Sequence, residues 1–206
     1  MLADQGKPGL ERTTAIRRTW LPTLTSISRR RGGAIEEFLL DLAMPAEAST
    51  DYGAPRRLTL EVGFPDDSRE IRLTLQWFDK PACRMPEALW CSFAPPVAAG
   101  GAWWVEKLGQ WLSTSDVVSN GNRRLHAVGA GVAYRDAADE LVIETVDAPL
   151  VAIGEPSLLD FRNDLPESDA GVHVNLFNNV WGTNFPQWFG EDARFQFVCR
   201  FGDVSS

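Results

Sequence analysis

The chain is short of the residues from which most catalytic and metal sites are made. It has two histidines, His126 and His173, and three cysteines, Cys83, Cys91 and Cys199. Neither histidine belongs to an H-x-x-x-H or H-x-D pair, and no CxxC is present, so a zinc site has almost no material. An odd number of widely spaced cysteines argues against a disulfide framework and for free thiols in a reducing, cytoplasmic setting. There is no G-x-S-x-G, G-x-G-x-x-G or P-loop pattern, which removes the common hydrolase, dinucleotide and phosphate signatures. No apolar run approaches the length of a membrane span, and the N-terminus has no compact apolar segment of the signal-peptide kind. No cofactor is expected.

What remains is an ordinary globular composition of 206 residues with an uneven charge. The net charge is −8, yet Arg12 to Ile35 holds six arginines and no acid, leaving −14 on the remainder. So acidic a body excludes nucleic acid as the natural partner. The basic stretch reads as an arm over residues 1–33, irregular or extended, broken by Pro8, Gly9, Pro22, Gly32 and Gly33. Residues 34–206 then form one domain.

From residue 34 onward the period is two. "RRLTLEVGF" alternates Leu58, Leu60, Val62 and Phe64 with Arg57, Thr59 and Glu61. "REIRLTLQWF" repeats the pattern, and the intervening "PDDS" is a turn, which predicts a hairpin. Further strands are expected at Ile35–Ala43, Ala88–Phe93, Trp103–Leu108, Arg123–Val128, Gly131–Tyr134, Leu141–Val146, Val172–Phe177 and Ala193–Phe201. "WWVEKLGQWL" comes nearest to a helical stripe, but Gly109 and the Trp pair oppose one. Trp77 and Trp90 are expected in the core, and Trp103 and Trp104 on opposite faces. Gly129 and Gly131 in "VGAGVAY" read as a bulge or turn. The whole is an all-β antiparallel sandwich.

Two kinds of site can be read from this. Paired carboxylates would suit a glycosidase, and Asp79, Glu87, Glu106, Asp160, Glu191 and Asp192 are the candidates. Asp79, with Lys80 as its neighbouring counter-charge, also reads as a turn residue. Glu191 and Asp192 also read as acceptors at the entry to the last strand. The second kind is a sugar surface in "NLFNNVWGTNFPQWFGED", Asn175 to Asp192. Alternation puts Val172, Val174 and Leu176 on the core face and His173, Asn175 and Phe177 on the other. Asn178, Asn179, Trp181, Asn184 and Trp188 follow on a loop. Amides bond sugar hydroxyls, and an aromatic ring stacks on a pyranose face.

Four blocks carry a resemblance: "YGAPRRLTLEVGFPDDSREIRLTLQWFDKPACRMPEALWCSF", "EKLGQWLSTSDVVSNGNRRLHAVGAGVAY", "VDAPLVAIGEPSLLDF" and "GVHVNLFNNVWGTNFPQWFGEDARFQF". Running from about Gly6 to Phe201, they resemble the C-terminal β region of bacterial proteins similar to glycoside hydrolase family 38, the α-mannosidase-like enzymes. The resemblance implies a galactose-mutarotase-like supersandwich that walls the active-site cleft of a separate, zinc-bearing barrel domain. The barrel and its H-x-D motif are absent here, so no catalytic residue carries over. The expected function is an accessory carbohydrate-binding or cleft-walling domain, with a carbohydrate as ligand and a barrel domain or a second copy as partner. The alternatives are a structural interface domain, or a small hydrolase or lyase using Asp79, Asp160, Glu191 or His173.

Overall fold

A computed structural model describes residues 7, 9–97, 100–180 and 188–203. The protein is all-β, with thirteen strands and one short α-helix among the described residues. In chain order the elements are β1 (Thr23–Gly32), β2 (Ile35–Ala43), α1 (Ala46–Tyr52), β3 (Arg57–Pro65), β4 (Glu70–Phe78), β5 (Ala88–Phe93) and β6 (Ala102–Lys107). There follow β7 (Gln110–Ser113), β8 (Leu125–Ala127), β9 (Gly131–Arg135), β10 (Asp139–Thr145), β11 (Leu150–Ile153), β12 (Val172–Asn178) and β13 (Ala193–Asp203). Every strand expected from the sequence is present. Three were not anticipated: β1, β7 and β11.

Thr23–Gly32, expected as part of an extended or irregular arm, pairs antiparallel with β2 from Thr23 opposite Ala43 to Gly32 opposite Ile35. The two-residue turn Gly33–Ala34 makes this possible, because Gly33 adopts φ 63° at no steric cost. The glycines that forbid a helix are thus the corner of a hairpin. Similarly, "WWVEKLGQWL" folds as the β6–β7 hairpin, with Lys107 opposite Gln110 and both Leu108 and Gly109 at positive φ.

Two compact units form. The first contains Met1–Gly63, Leu73–Ala88 and Phe177–Arg194. Its strands run in the order β1-β2-β3-β4. α1 ends at Gly53, whose φ of 78° gives the left-handed C-cap. The segment before β1 lies on this helix, with Trp20 against Tyr52 at 4.7 Å and Arg18 paired to Glu47.

The second unit contains Phe64–Arg72, Leu89–Leu176 and Phe195–Ser206. It is a sandwich of two antiparallel layers. In one, the tip of the β3–β4 hairpin is followed by β13-β10-β9-β6-β7; the other runs β5-β12-β11-β8. Alternation fills the space between them. Phe195, Phe197 and Cys199 of β13 are buried, as are Val132, Ile143, Val151, Val172 and Val174. Phe93 meets Phe197 edge-on at 5.3 Å across the layers. The tryptophan pair divides as the pleat requires: Trp103 is buried against Tyr134, while Trp104 turns outward and, with Trp111, brackets the Arg135 guanidinium at 5.2 Å. Trp77 is fully buried, but Trp90 is only half-buried.

All three cysteines are unbridged. Burial pushes the Cys91 thiol up to about 12 and the Cys199 thiol up to about 11, so both remain neutral. No helix among the described residues is long and apolar enough to cross a membrane.

Candidate functional site

In the first unit β4 ends at Phe78, and Asp79 turns the chain at φ 54°. The turn sends Lys80 inward. Its side chain is fully buried, and its ammonium donates to the Gly53 carbonyl at 2.9 Å, Glu87 Oε1 at 2.7 Å and the Phe189 carbonyl at 3.2 Å. The same nitrogen lies 4.9 Å above the Phe177 ring, which stacks on Phe189 at 5.2 Å. A buried cation needs this many acceptors, since each replaces a lost water.

Glu87 is the other half of the arrangement. Burial pushes its carboxyl up to about 7, against the downward pull of the Lys80 ammonium. Its backbone is clasped by Asn179: the Glu87 N–H donates to Asn179 Oδ1 at 2.8 Å, and the Asn179 N–H donates to the Glu87 carbonyl at 3.1 Å. Asn179 Nδ2 donates to the Cys83 carbonyl at 3.0 Å. Glu87 therefore ties down Asn179 directly and Phe189 through Lys80. These two residues bracket the segment on which the sequence places the sugar loop. Lys7 is a second buried amine near this pair; it donates to the Met85 carbonyl at 3.4 Å, and burial pushes it down to about 8.

Of the seven residues expected to contact sugar, five are among the described residues. Asn178, Asn179 and Trp188 lie in the first unit, and His173 and Asn175 in the second. Trp181 and Asn184 lie outside the described residues. The Asn179 amide is consumed by backbone partners, so it shapes the segment rather than reaching outward. Asn178 is half-buried at the end of β12. Trp188 is 55% exposed. His173 Nδ1 is 2.7 Å from Ser92 Oγ and Nε2 is 3.4 Å from the Gly154 carbonyl; burial pushes its pKa down. Asn175 is buried, and its Nδ2 donates to the Leu89 carbonyl at 3.3 Å. The alternation still holds at Val172 and Val174, but the face carrying Asn175 is not an open one.

Of the carboxylates named as candidate acids and bases, those of Glu87, Glu106, Asp160 and Asp192 have partners, whereas Asp79 and Glu191 are held through their backbone. Asp192 Oδ1 accepts the Asp79 N–H at 2.9 Å, and the Glu191 carbonyl accepts the Trp77 indole N–H at 3.0 Å. The first agrees with the turn reading of Asp79 and the acceptor reading of Asp192; the second is made by the Glu191 backbone and not by its carboxylate. Lys80, however, pairs with Glu87, not with its neighbour Asp79. Asp160 lies 3.6 Å from Arg162, which also holds Glu155 and Asp164. Glu106 accepts the backbone N–H groups of Gly109 and Ala130, which hold its carboxyl below the usual carboxylate range. Among the described residues no group of three or more His, Cys, Asp or Glu is placed to hold a metal ion.

Sequence reasoning missed the Lys80–Glu87 pair. The one available signal was a lysine two residues after a strand that ends in buried Trp77 and half-buried Phe78. No family model matches the chain, and no curated protein matches it.

Proposed function

We propose that this chain is an accessory β-sandwich module of a carbohydrate-active, α-mannosidase-like protein. It binds a glycan, or walls the cleft that holds one, and cleaves no bond by itself. The supporting observation is Trp188. It is exposed next to Phe189, whose carbonyl is fixed by Lys80 and whose ring is fixed by Phe177. An aromatic face on an ordered base loses little conformational entropy when a pyranose stacks on it. Among the candidate carboxylates, Glu106 and Asp192 accept backbone amides, Asp160 faces a guanidinium and Glu87 an ammonium, which favours recognition over acid–base work at these four positions. On this reading the partners are a carbohydrate and a catalytic barrel domain, and the unbridged cysteines fit a cytoplasmic setting.

Titration calorimetry and tryptophan fluorescence with mannosides and mannose-containing oligosaccharides test this. Saturable binding that is lost in Trp188→Ala supports it. Absence of binding to every glycan, or binding untouched by Trp188→Ala, overturns it. Turnover of nitrophenyl glycosides by the purified chain would replace the accessory reading with a catalytic one.

A further inference from the structure

We infer that the outer edge of β1 is a docking edge for β1 of a second copy of this chain. The inference is independent of glycan binding. β1 is the last strand of its sheet order, so among the described residues no strand lies along its outer side. All ten of its residues are exposed, while its neighbour β2 is mostly half-buried. Leu24 and Ile27 are 50% and 59% exposed. Ordering a residue costs about 1–2 kcal/mol of backbone entropy, and a long strand that covers nothing recovers little of it. An exposed ten-residue edge of this kind is a template for pairing with another chain.

Charge identifies the occupant. Arginines on an edge strand ordinarily keep other strands away. Here Arg29 pairs across to Glu36 and Arg30 to Glu37, at 2.7 Å for the latter. With Arg31 and Asp41 included, the hairpin from Thr23 to Ala43 has no net charge. A second hairpin therefore meets no net charge at the edge itself, although the whole chain carries −8. An antiparallel register centred on Ile27 pairs every residue from Thr23 to Arg31. It sets Arg29 opposite Thr25, Arg30 opposite Leu24 and Arg31 opposite Thr23, and Ser26 opposite Ser28. No two arginines face each other, and the arginine end of each copy lies toward the Asp41 end of the other. Ile27 meets its own copy on the two-fold axis, the self-complementary contact of a C2 dimer. The single irregularity of β1 lies between Leu24 and Ser26, away from that axis.

The test is light scattering on the full chain from about 1 to about 200 µM, since a dimer of this kind is governed by mass action. A reversible dimer is expected. Ile27→Lys, which brings two like charges together at the axis, should weaken it by about tenfold or more. In parallel, Ile27→Cys should oxidise rapidly to a covalent dimer. Thr23→Cys, which the register keeps far from its own copy, should not exceed the wild-type background of the three native thiols. A monomer throughout the range overturns the inference. So does a dimer unaffected by Ile27→Lys, or equal cross-linking by the two cysteine variants. The cysteine comparison decides the matter even if Ile27→Lys perturbs the hairpin.

Discussion

Lys80 Nζ lies 2.7 Å from Glu87 Oε1, with the lysine side chain fully buried and the glutamate 10% exposed. That one pair links the turn after α1, the end of β4 and both flanks of the segment carrying the candidate loop. Replacing Lys80 with Met removes the ammonium from the carbonyls of Gly53, Pro81 and Phe189 and from the Glu87 carboxyl at once. The loss should be about 3 kcal/mol, the usual cost of orphaning half of a buried pair. Urea denaturation measures it. A loss below about 1 kcal/mol would mean that water reaches this pair in solution.

The same cluster predicts an unusual pH dependence. The Glu87 carboxyl is raised from 4.5 to about 7, so the folded state holds its proton more tightly. Its contribution is present below 4.5 and is lost as pH rises through about 7. Lys7 is lowered from 10.5 to about 8, so its contribution is present above 10.5 and is lost as pH falls through about 8. Together they place a shallow stability minimum between about 7 and 8. Urea midpoints across this range should show it, and Glu87→Gln should abolish the acidic limb alone. A midpoint that climbs steadily from pH 5 to pH 7.5 would contradict the assignment.

Asn179 and Trp188 should separate cleanly in mutagenesis. Asn179→Ala leaves the Glu87 N–H and the Cys83 carbonyl without their side-chain partners, at a cost of about 2 kcal/mol. Trp188→Ala removes an exposed ring and should stay within about 0.5 kcal/mol of wild type. Its effect should instead be a glycan affinity about tenfold weaker, the scale of a lost aromatic stack. If Trp188→Ala destabilises as much as Asn179→Ala, the ring is a packing element and not a recognition surface.

Gly53→Ala probes the seat of Lys80. At φ 78° the new Cβ would stand 2.1 Å from the Cys83 Cβ. Left-handed strain and overpacking add to a loss of about 2–4 kcal/mol. Thermal melts check this, and Gly33→Ala is the useful comparison. It has φ 63° but nothing within 4 Å of the added Cβ, so it should suffer from the backbone alone.

Much of the fold was legible because strand alternation is a local property. β3, β4, β12 and β13 each announce themselves through residues two apart, and the pleat sends those residues to one face whatever lies beyond. The Asp79 turn was legible for the same reason, since short polar side chains act on nearby backbone, and Asp192 was legible as an acceptor, though not its partner 113 residues away. β1 was hidden because its Ser, Thr and Arg residues bury nothing, so no hydrophobic period marks it. β7 and β11 have four residues each, too few to establish a period. The candidate site was legible only in part. The sequence could place asparagines beside aromatics, but not tell an outward amide from a consumed one.

By itself the sequence determined an all-β chain with free thiols, an acidic body and an arginine-rich N-terminal stretch. These follow from composition and from the two-residue period, which any pairing of strands must respect. Only the tertiary structure decided which polar groups are engaged. Lys80 finds Glu87 seven residues on, and Asn179 finds Cys83 across ninety-six. Hydrogen bonds saturate, so a group taken up by a distant partner is lost to a ligand, and which partner takes it depends on how the whole chain closes.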